Sequence, residues 1–437
     1  MWYFILIVNN IVEGVKSIFM VKYIDLFAGI GGIRLGLTQA LDELGIQHEC
    51  VMTSEIKPSA IQVYTDNFGN DKMVGNICEI ESKNIPDFDI LLAGFPCQPF
   101  SSAGKQRGFE DTRGTLFFEI ARILKDKQPD FFLLENVENL VIHDLSAEDK
   151  KKGKNIGNTL ETILAILEDL RYNISWKVLQ ASEFGVAQIR RRIYIVGSKK
   201  YTVSLDNFTK KTKNFGEIQE HIDDIPETEF SKKVLQYLSN NNLDVTHLYD
   251  KSIRDKRGKE NNLHSWNMNL RGETNQYQRD MMEKLLLERR NKDKAREKGV
   301  PLKDGVGLTI SELQKIHSGP SFINDITSLH SMGYIKRYTI PTCNENLYDI
   351  KCGRLSFPFT KFLDPNKPCL TLVATDANHL GVIDGNKIRQ LTIRECLRLN
   401  GFPEDYKMNI SYNKALDLLG NTVVVPVIKE ICLRIFK

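Results

Sequence analysis

The sequence contains no C-x-x-C pair; its eight cysteines, at positions 50, 78, 97, 343, 352, 369, 396 and 432, are scattered over 437 residues. That spacing argues against a zinc site, and the low density over so long a chain argues against a disulfide framework. The expectation is a reduced, cytoplasmic protein. A membrane-spanning run is also missing. The apolar stretch Trp2–Val8 is seven residues long, far short of the ~20 that a spanning helix needs. It has neither a basic flank nor a small-residue cleavage site. Charge of one sign is absent: 59 basic and 56 acidic residues leave a net charge of +3. Any nucleic acid would have to be met by a local basic surface. Internal repeats and low-complexity tracts are absent as well. What remains, 41% hydrophobic and 26% charged residues, is the composition of a soluble globular protein large enough for two or three domains.

From Lys22 the pattern alternates strand and helix. "KYIDLFAG" reads as a buried strand ending in a glycine turn, and "GIRLGLTQALDELG" as a helix closed by Gly45. "HECVMTSEI" is a strand, and "PSAIQVYTDNF" a helix opening on Pro58. "FDILLAGFP" and "DFFLLENV" are further strands, separated by the helix "TLFFEIARILKDKQP". A helix from "NTLETILAILEDLRY" and two closing strands, "ISWKVLQASEFG" and "RRIYIVGS", complete the series. This alternation predicts an α/β fold with a doubly wound, largely parallel sheet, whose ligands sit at the carboxyl ends of the strands.

After about Lys200 the regularity fades. Basic runs such as "RDKRGK" and "ERRNKDKAREKG" read as solvated faces. One segment, "LTISELQKIHSGPSFINDITSLHSMGYIKRYTI", reads as a short helix, a turn at Gly319-Pro320, a second helix and a basic strand. That is the outline of a winged helix-turn-helix. Nearer the carboxyl end, "TIRECLRLNGF" is a helix with Thr392 as N-cap and Glu395 three residues on, a capping box. The expected division is an extension over 1–20, set upstream of the fold or spurious through a start codon called too early, with a peripheral helix as the alternative; a catalytic domain over 21–200 completed by 418–437; a recognition domain over 201–388; and a hinge region over 389–417.

Three places carry chemistry. "DLFAGIGG" puts Gly29, Gly31 and Gly32 between a strand and a helix, where glycines let the backbone approach a ligand and expose helix amides. The spacing is not the nicotinamide fingerprint G-x-G-x-x-G, which disfavours an oxidoreductase. Glu55 ends the next strand, where a carboxylate can accept ribose hydroxyls. An adenosine-containing cofactor and a purely structural turn are both open at this point. Second, "GFPCQPF" fixes Cys97 between prolines at a strand end. Third, "LLENV" delivers Glu135 to the same rim, and "QIRRRIYIVG" brings Arg190 and Arg192 on one face of a strand with Arg191 on the other. A thiol, a carboxyl and a cationic clamp suit covalent catalysis on an aromatic pyrimidine, whose C5 becomes nucleophilic once a thiolate has added at C6. The base must leave the stack to be reached, and the basic, glycine-containing "SSAGKQRGFEDTRG" could close over it.

With eight motifs in order, the chain resembles the bacterial DNA (cytosine-5)-methyltransferases of restriction-modification systems, over residues 22 to about 200 and 366 to 437. The motifs are "DLFAGIGG", "SEI", "GNICEI", "GFPCQPFS", "ENV", "QIRRRIYIVG", "RQLTIRECLRLNGFPEDY" and "GNTVVVPVI". The resemblance implies a Rossmann-like methyltransferase sheet with a smaller, mixed target-recognition domain, and S-adenosylmethionine as cofactor. It implies Cys97 as the nucleophile at C6, Glu135 at N3 and N4 of the flipped cytosine, Arg192 at its O2 and Arg190 in support. Cofactor contacts are implied at Phe27, Ala28, Gly29, Ile30, Gly31, Gly32, Glu55, Ile56, Asn76, Ile77, Pro96, Leu116, Asn421 and Val423. DNA contacts are implied at Ser101, Lys105, Arg113, Gln188 and Thr371. The expected partners are duplex DNA and, functionally, a cognate restriction endonuclease, with a monomeric protein and no metal. Two departures stand out: Asn76 replaces the usual Asp of the adenine motif, and Ala103 stands where a serine sometimes fills the gap left by the flipped base. Alternatives are a tRNA cytosine-5 methyltransferase of the same architecture and a non-catalytic DNA-binding regulator.

Overall fold

The structure is a computed structural model that describes residues 20–70, 72–96, 116–151, 153–256, 261–301, 305–351, 357–374 and 376–437. Residues 1–19, all of the expected extension but Met20, lie outside the described residues. The chain divides into two compact units. The first runs up to Gln219 and takes in Asn366–Ala377 and Thr392–Lys437; the second comprises Glu220–Pro365 and Asn378–Leu391.

The first unit is built on a six-stranded sheet. Its strands are β1 (Met20–Leu26), β2 (Gln47–Ser54), β3 (Ile90–Gly94), β4 (Phe131–Val137), β5 (Asn173–Gln180) and β7 (Arg191–Ser198), in the order β2-β1-β3-β4-β7-β5. The two-residue β6 (Gln188–Ile189) pairs instead with Cys369–Leu370. The first four strands run parallel, and β7 is antiparallel to both β4 and β5. Strand residues alternate between two buried faces, which is why these strands read as continuous apolar runs. Val21, Tyr23, Ile90, Leu92, Phe131 and Leu133 join one core; Ile24, Leu26, Leu91, Ala93, Phe132 and Leu134 join the other.

Helix α1 (Gly32–Glu43) and the terminal helix Val425–Phe436 cover the first face. They approach so closely that a Cβ at Gly36 would lie 2.5 Å from Cβ of Ile428. Helix α2 (Pro58–Phe68) starts on its proline, whose fixed φ suits a first helical turn. Helices α3 (Leu116–Lys127) and α5 (Asn158–Asp169) cover the second face, and α4 (Ala147–Lys151) is a short piece before α5. Burying both faces makes the sheet doubly wound and fixes the register. Leu26 of β1 lies beside Ser54 of β2 and Ala93 of β3, and Gly94 lies beside Glu135 of β4. The carboxyl ends of four strands therefore form one rim.

The second unit contains helices α6 (Glu229–Asn240), α7 (Gln276–Glu288), α8 (Lys292–Glu297), α9 (Ile310–Ile316) and α10 (Phe322–Ser331). Strands β8 (Ser252–Ile253) and β9 (Asn262–Leu263) belong to a small sheet with β12 (Lys361–Phe362), Leu380–Asp384 and Lys387–Gln390. Strands β10 (Ile335–Ile340) and β11 (Cys343–Ile350) form an antiparallel hairpin. The run "ERRNKDKAREKG" is not wholly the solvated face that its composition suggests. Arg289 is buried and grips Asp349 with two hydrogen bonds, Nε to Oδ1 at 2.6 Å and Nη2 to Oδ2 at 3.0 Å. Lys298, also buried, donates to the Gly307 carbonyl at 3.0 Å and to Glu312 at 2.5 Å. Charge alone does not reveal a partner 60 positions away. No helix among the described residues is long and apolar enough to cross a membrane.

Candidate active site

A cavity of about 520 Å³ opens on the strand rim of the first unit. One wall is the turn after β1. Phe27, Gly29 and Gly31 all take positive φ (54°, 55° and 77°), a conformation that costs a bulky residue such as Phe27 but not glycine. The turn aims the Gly29 amide at Glu55, whose Oε2 accepts it at 2.7 Å. Oε1 of Glu55 accepts the amides of Ile56 and Lys57, both at 2.8 Å. Three backbone donors thus hold the carboxylate in one orientation at the end of β2.

Phe27, Gly29, Ile30, Glu55, Ile56, Asn76, Ile77, Pro96, Leu116 and Asn421 all line this cavity. Asn76 caps a short turn, accepting from the Cys78 amide at 3.2 Å and donating to Glu79 at 2.9 Å. Four residues expected at the cofactor, Ala28, Gly31, Gly32 and Val423, are not among its lining residues. Gly32 is a packing position: a Cβ there would meet Val423 Cγ2 at 2.8 Å. Val423 is correspondingly buried in the core. A Cβ at Gly31 would meet the Phe68 ring at 2.3 Å. Sequence reasoning missed other lining residues, among them Ser54, Lys57, Ala60, Phe95, Leu418 and Thr422. Several of these adjoin residues that were identified, so the only signal was neighbourhood.

The other wall carries Glu135, Asn136, Arg190 and Arg192. Glu135 is 8% exposed, and Arg192 Nε lies 3.1 Å from its Oε1. Burial pushes the Glu135 carboxyl above its ordinary range, against the pull of Arg192 and Arg190. Asn136 donates from Nδ2 to the Phe95 carbonyl at 2.9 Å. It thereby ties β4 to the segment that leads into Cys97. Cys97 itself, with Ser101, Ala103, Lys105 and Arg113, lies outside the described residues.

The three consecutive arginines do three different things. Arg191 is exposed and meets Glu138 at 2.9 Å. Arg192 faces Glu135. Arg190 is 2% exposed and donates to three main-chain carbonyls: Leu372 at 3.0 Å, Gly420 at 3.1 Å and Thr422 at 2.6 Å. Burial lowers its pKa to about 10. Gln188, expected at DNA, is fully buried with its amide committed inside the protein. It donates to the Leu399 carbonyl at 2.9 Å and to Asn400 Oδ1 at 3.2 Å, and accepts from the Leu372 amide at 3.0 Å. Thr371 donates to the Ile189 carbonyl at 2.5 Å and lines a shallow neighbouring cavity with Arg191 and Arg192.

A doubly wound sheet with a glycine turn, an acidic strand end and a buried carboxyl on one rim is the fold of the Rossmann-like methyltransferases. The chain belongs to the C-5 cytosine-specific DNA methylase family, whose sequence profile matches residues 21–437, and it is a DNA (cytosine-5)-methyltransferase. Among similar proteins, the Type II methyltransferase M.NlaIV of Neisseria lactamica is 44% identical over 429 residues, covering 95% of this chain and 98% of its own. The Type II methyltransferase M.BanI of Aneurinibacillus aneurinilyticus is 39% identical over 438 residues, covering 95% of this chain and 96% of its own. A crystal structure of a prophage-encoded DNA modification methyltransferase (E. coli) superimposes with a TM-score of 0.50 at 21% identity, covering 95% of this chain and 98% of that one.

Proposed function

We propose that the chain transfers a methyl group from S-adenosylmethionine to C5 of a cytosine turned out of duplex DNA, through a covalent bond between Cys97 and C6. The observation that carries this reading is the Glu135–Arg192 pair, at 3.1 Å, in the same cavity as the glycine turn and the Glu55 carboxylate. The cavity fits the cofactor. Phe27, Ile30, Ile77 and Leu116 supply apolar wall, and Glu55 supplies a fixed acceptor for ribose hydroxyls. When bound, S-adenosylmethionine supplies an electrophilic methyl group.

The chain's own residues do the rest. Cys97 as thiolate adds to C6 while Glu135 holds a proton at N3, so that the electron pair reaches C5. Its raised pKa suits Glu135 to that task. Arg192 orients Glu135 and offers a donor to the base carbonyl. After methylation the C5 proton passes to solvent water, its electron pair re-forms the C5–C6 double bond, and Cys97 leaves C6 as a thiolate, restoring aromaticity. Lys105 and Arg113 are the proposed phosphate grips of the closing segment. The relatives named as Type II methyltransferases support a modification enzyme paired with a restriction endonuclease.

The test is trapping. Duplex DNA containing 5-fluorocytosine should capture the chain covalently in the presence of S-adenosylmethionine, because fluorine at C5 cannot leave as a proton does. Cys97→Ser should form no adduct while still binding DNA. Absence of an adduct with DNA that the wild-type chain methylates would sink the covalent route.

A further inference from the structure

We infer that α7 to β11 form a winged helix module whose helix α10 reads base edges in the DNA major groove; this rests on the DNA-methylating function and names the element that selects its target sequence. The order of elements is helices α7 and α8, an extended residue at Leu308, helices α9 and α10, then the hairpin β10–β11. Leu308 and Tyr348 exchange both main-chain hydrogen bonds, at 2.9 and 2.8 Å, so the extended residue adds a third strand beside β11. The module has a hydrophobic core of its own, in which Met282, Leu285, Leu313, Phe322, Ile326 and Leu329 meet. The turn between α9 and α10 seats on α7, where a Cβ at Gly319 would lie 2.6 Å from the Tyr277 ring. The turn is thereby packed against α7, with the hairpin as the wing.

The exposed face of α10 carries the second half of the argument. Ile323, Asn324, Thr327, His330 and Ser331 are exposed and recur at three- and four-residue steps, so they form one stripe. The stripe holds no carboxylate. The helix's only acid, Asp325, is buried and accepts from Gln278 Nε2 at 2.9 Å and Ser321 Oγ at 2.6 Å. An acid turned inward leaves a face without charge repulsion toward phosphates. Its remaining groups match base edges: Asn pairs with adenine N6 and N7, Thr with several bases, and an aliphatic group with the thymine methyl. The wing adds cations, since Lys336 and Arg337 on β10 are both exposed. Arg337 has no ion-pair partner among the described residues, and Lys336 reaches Asp349 only at 3.7 Å. Polar and aliphatic readers on the helix with cations on the wing fit a duplex, in which phosphate contacts position and base contacts specify.

The experiment expresses the full chain in a host without cytosine methylation and sequences every modified cytosine. The wild type should modify one sequence context. Asn324→Ala and Thr327→Ala should each lower the rate in that context roughly 5- to 100-fold or admit other bases at one position. Lys336→Ala and Arg337→Ala should weaken binding to all duplexes alike and lower the slope of log affinity against log salt by about 1 each. Lys232→Ala, an exposed substitution on α6, should match the wild type. The inference is overturned if Asn324→Ala/Thr327→Ala keeps the wild-type context at a rate within about twofold while the two wing variants keep the wild-type salt slope. A wild type that modifies no DNA cytosine would instead remove the activity itself, and this inference with it.

Discussion

Glu135 and Arg192 face each other across adjacent strands, with Nε of the arginine 3.1 Å from Oε1 of the glutamate. The register explains the pairing: Val137 of β4 lies opposite Arg192 of β7 and Glu135 opposite Tyr194, so the two side chains are diagonal neighbours. Burial raises the carboxyl pKa while the guanidinium lowers it.

Glu135→Gln keeps the shape and a hydrogen bond but carries no acidic proton. Single-turnover methylation should fall by roughly 10²- to 10⁴-fold, with S-adenosylmethionine affinity changed by less than about threefold. A comparable loss in cofactor affinity would mean that Glu135 shapes the cofactor site instead.

Glu55 organises the opposite wall. Glu55→Ala leaves the amides of Gly29, Ile56 and Lys57 without their shared acceptor. Calorimetry should show S-adenosylmethionine affinity down by about tenfold or more, at roughly 1–3 kcal/mol per group left without its partner. Affinity equal to the wild type would remove Glu55 from the binding account.

Arg190→Ala should act on stability first. Its guanidinium ties together main-chain carbonyls of Leu372, Gly420 and Thr422. Cutting these bonds in a buried site should cost roughly 1–3 kcal/mol per carbonyl left without a partner, and Arg190→Lys, which lacks the planar fork, should recover only part. Equilibrium denaturation in urea measures both. An Arg190→Ala protein as stable as the wild type would contradict the role.

Asp25 yields a pH prediction. It is fully buried, and neither carboxylate oxygen has a hydrogen-bond partner among the described residues. Desolvation pushes its pKa up to about 7, with Arg34 opposing and Glu55 reinforcing the shift. The unfolded chain releases this proton at the ordinary carboxyl pH, while the folded chain keeps it until about pH 7. Stability from this group therefore falls as pH rises between those limits, by at most about 1.4 kcal/mol per unit, and is level above them. Asp25→Asn should remove that slope. The variant's advantage in urea denaturation without cofactor should be large at pH 8 and shrink toward pH 4; an advantage independent of pH would refute the assignment.

Much of the catalytic unit was legible because its strands are buried on both faces and its helices carry their own punctuation. Pro58 opens α2, and Thr392 with Glu395 forms the expected capping box. Glu135 and Arg192 were legible from strand ends and alternation. Arg190 was placed on the right face, but its three carbonyl partners lie 182 to 232 positions away, and no local pattern encodes them. The same holds for Gln188, which bonds across 211 positions to Leu399. In the second unit a charge run hid Arg289 and Lys298, because composition does not say which cation turns inward to a distant carboxylate or carbonyl. The helix-turn-helix outline was visible, but its third strand at Leu308 is a single bridged residue, too short for any periodicity.

The most direct test of the central claim is the identity and address of the product. The purified chain should be incubated with S-adenosylmethionine labelled in its methyl group, on duplex DNA free of cytosine methylation and, separately, on tRNA. Nucleoside mass spectrometry then reports the labelled species. The account predicts 5-methyl-2′-deoxycytidine from DNA alone, and none with Cys97→Ser. Label on an exocyclic amino group, or on tRNA only, would contradict it.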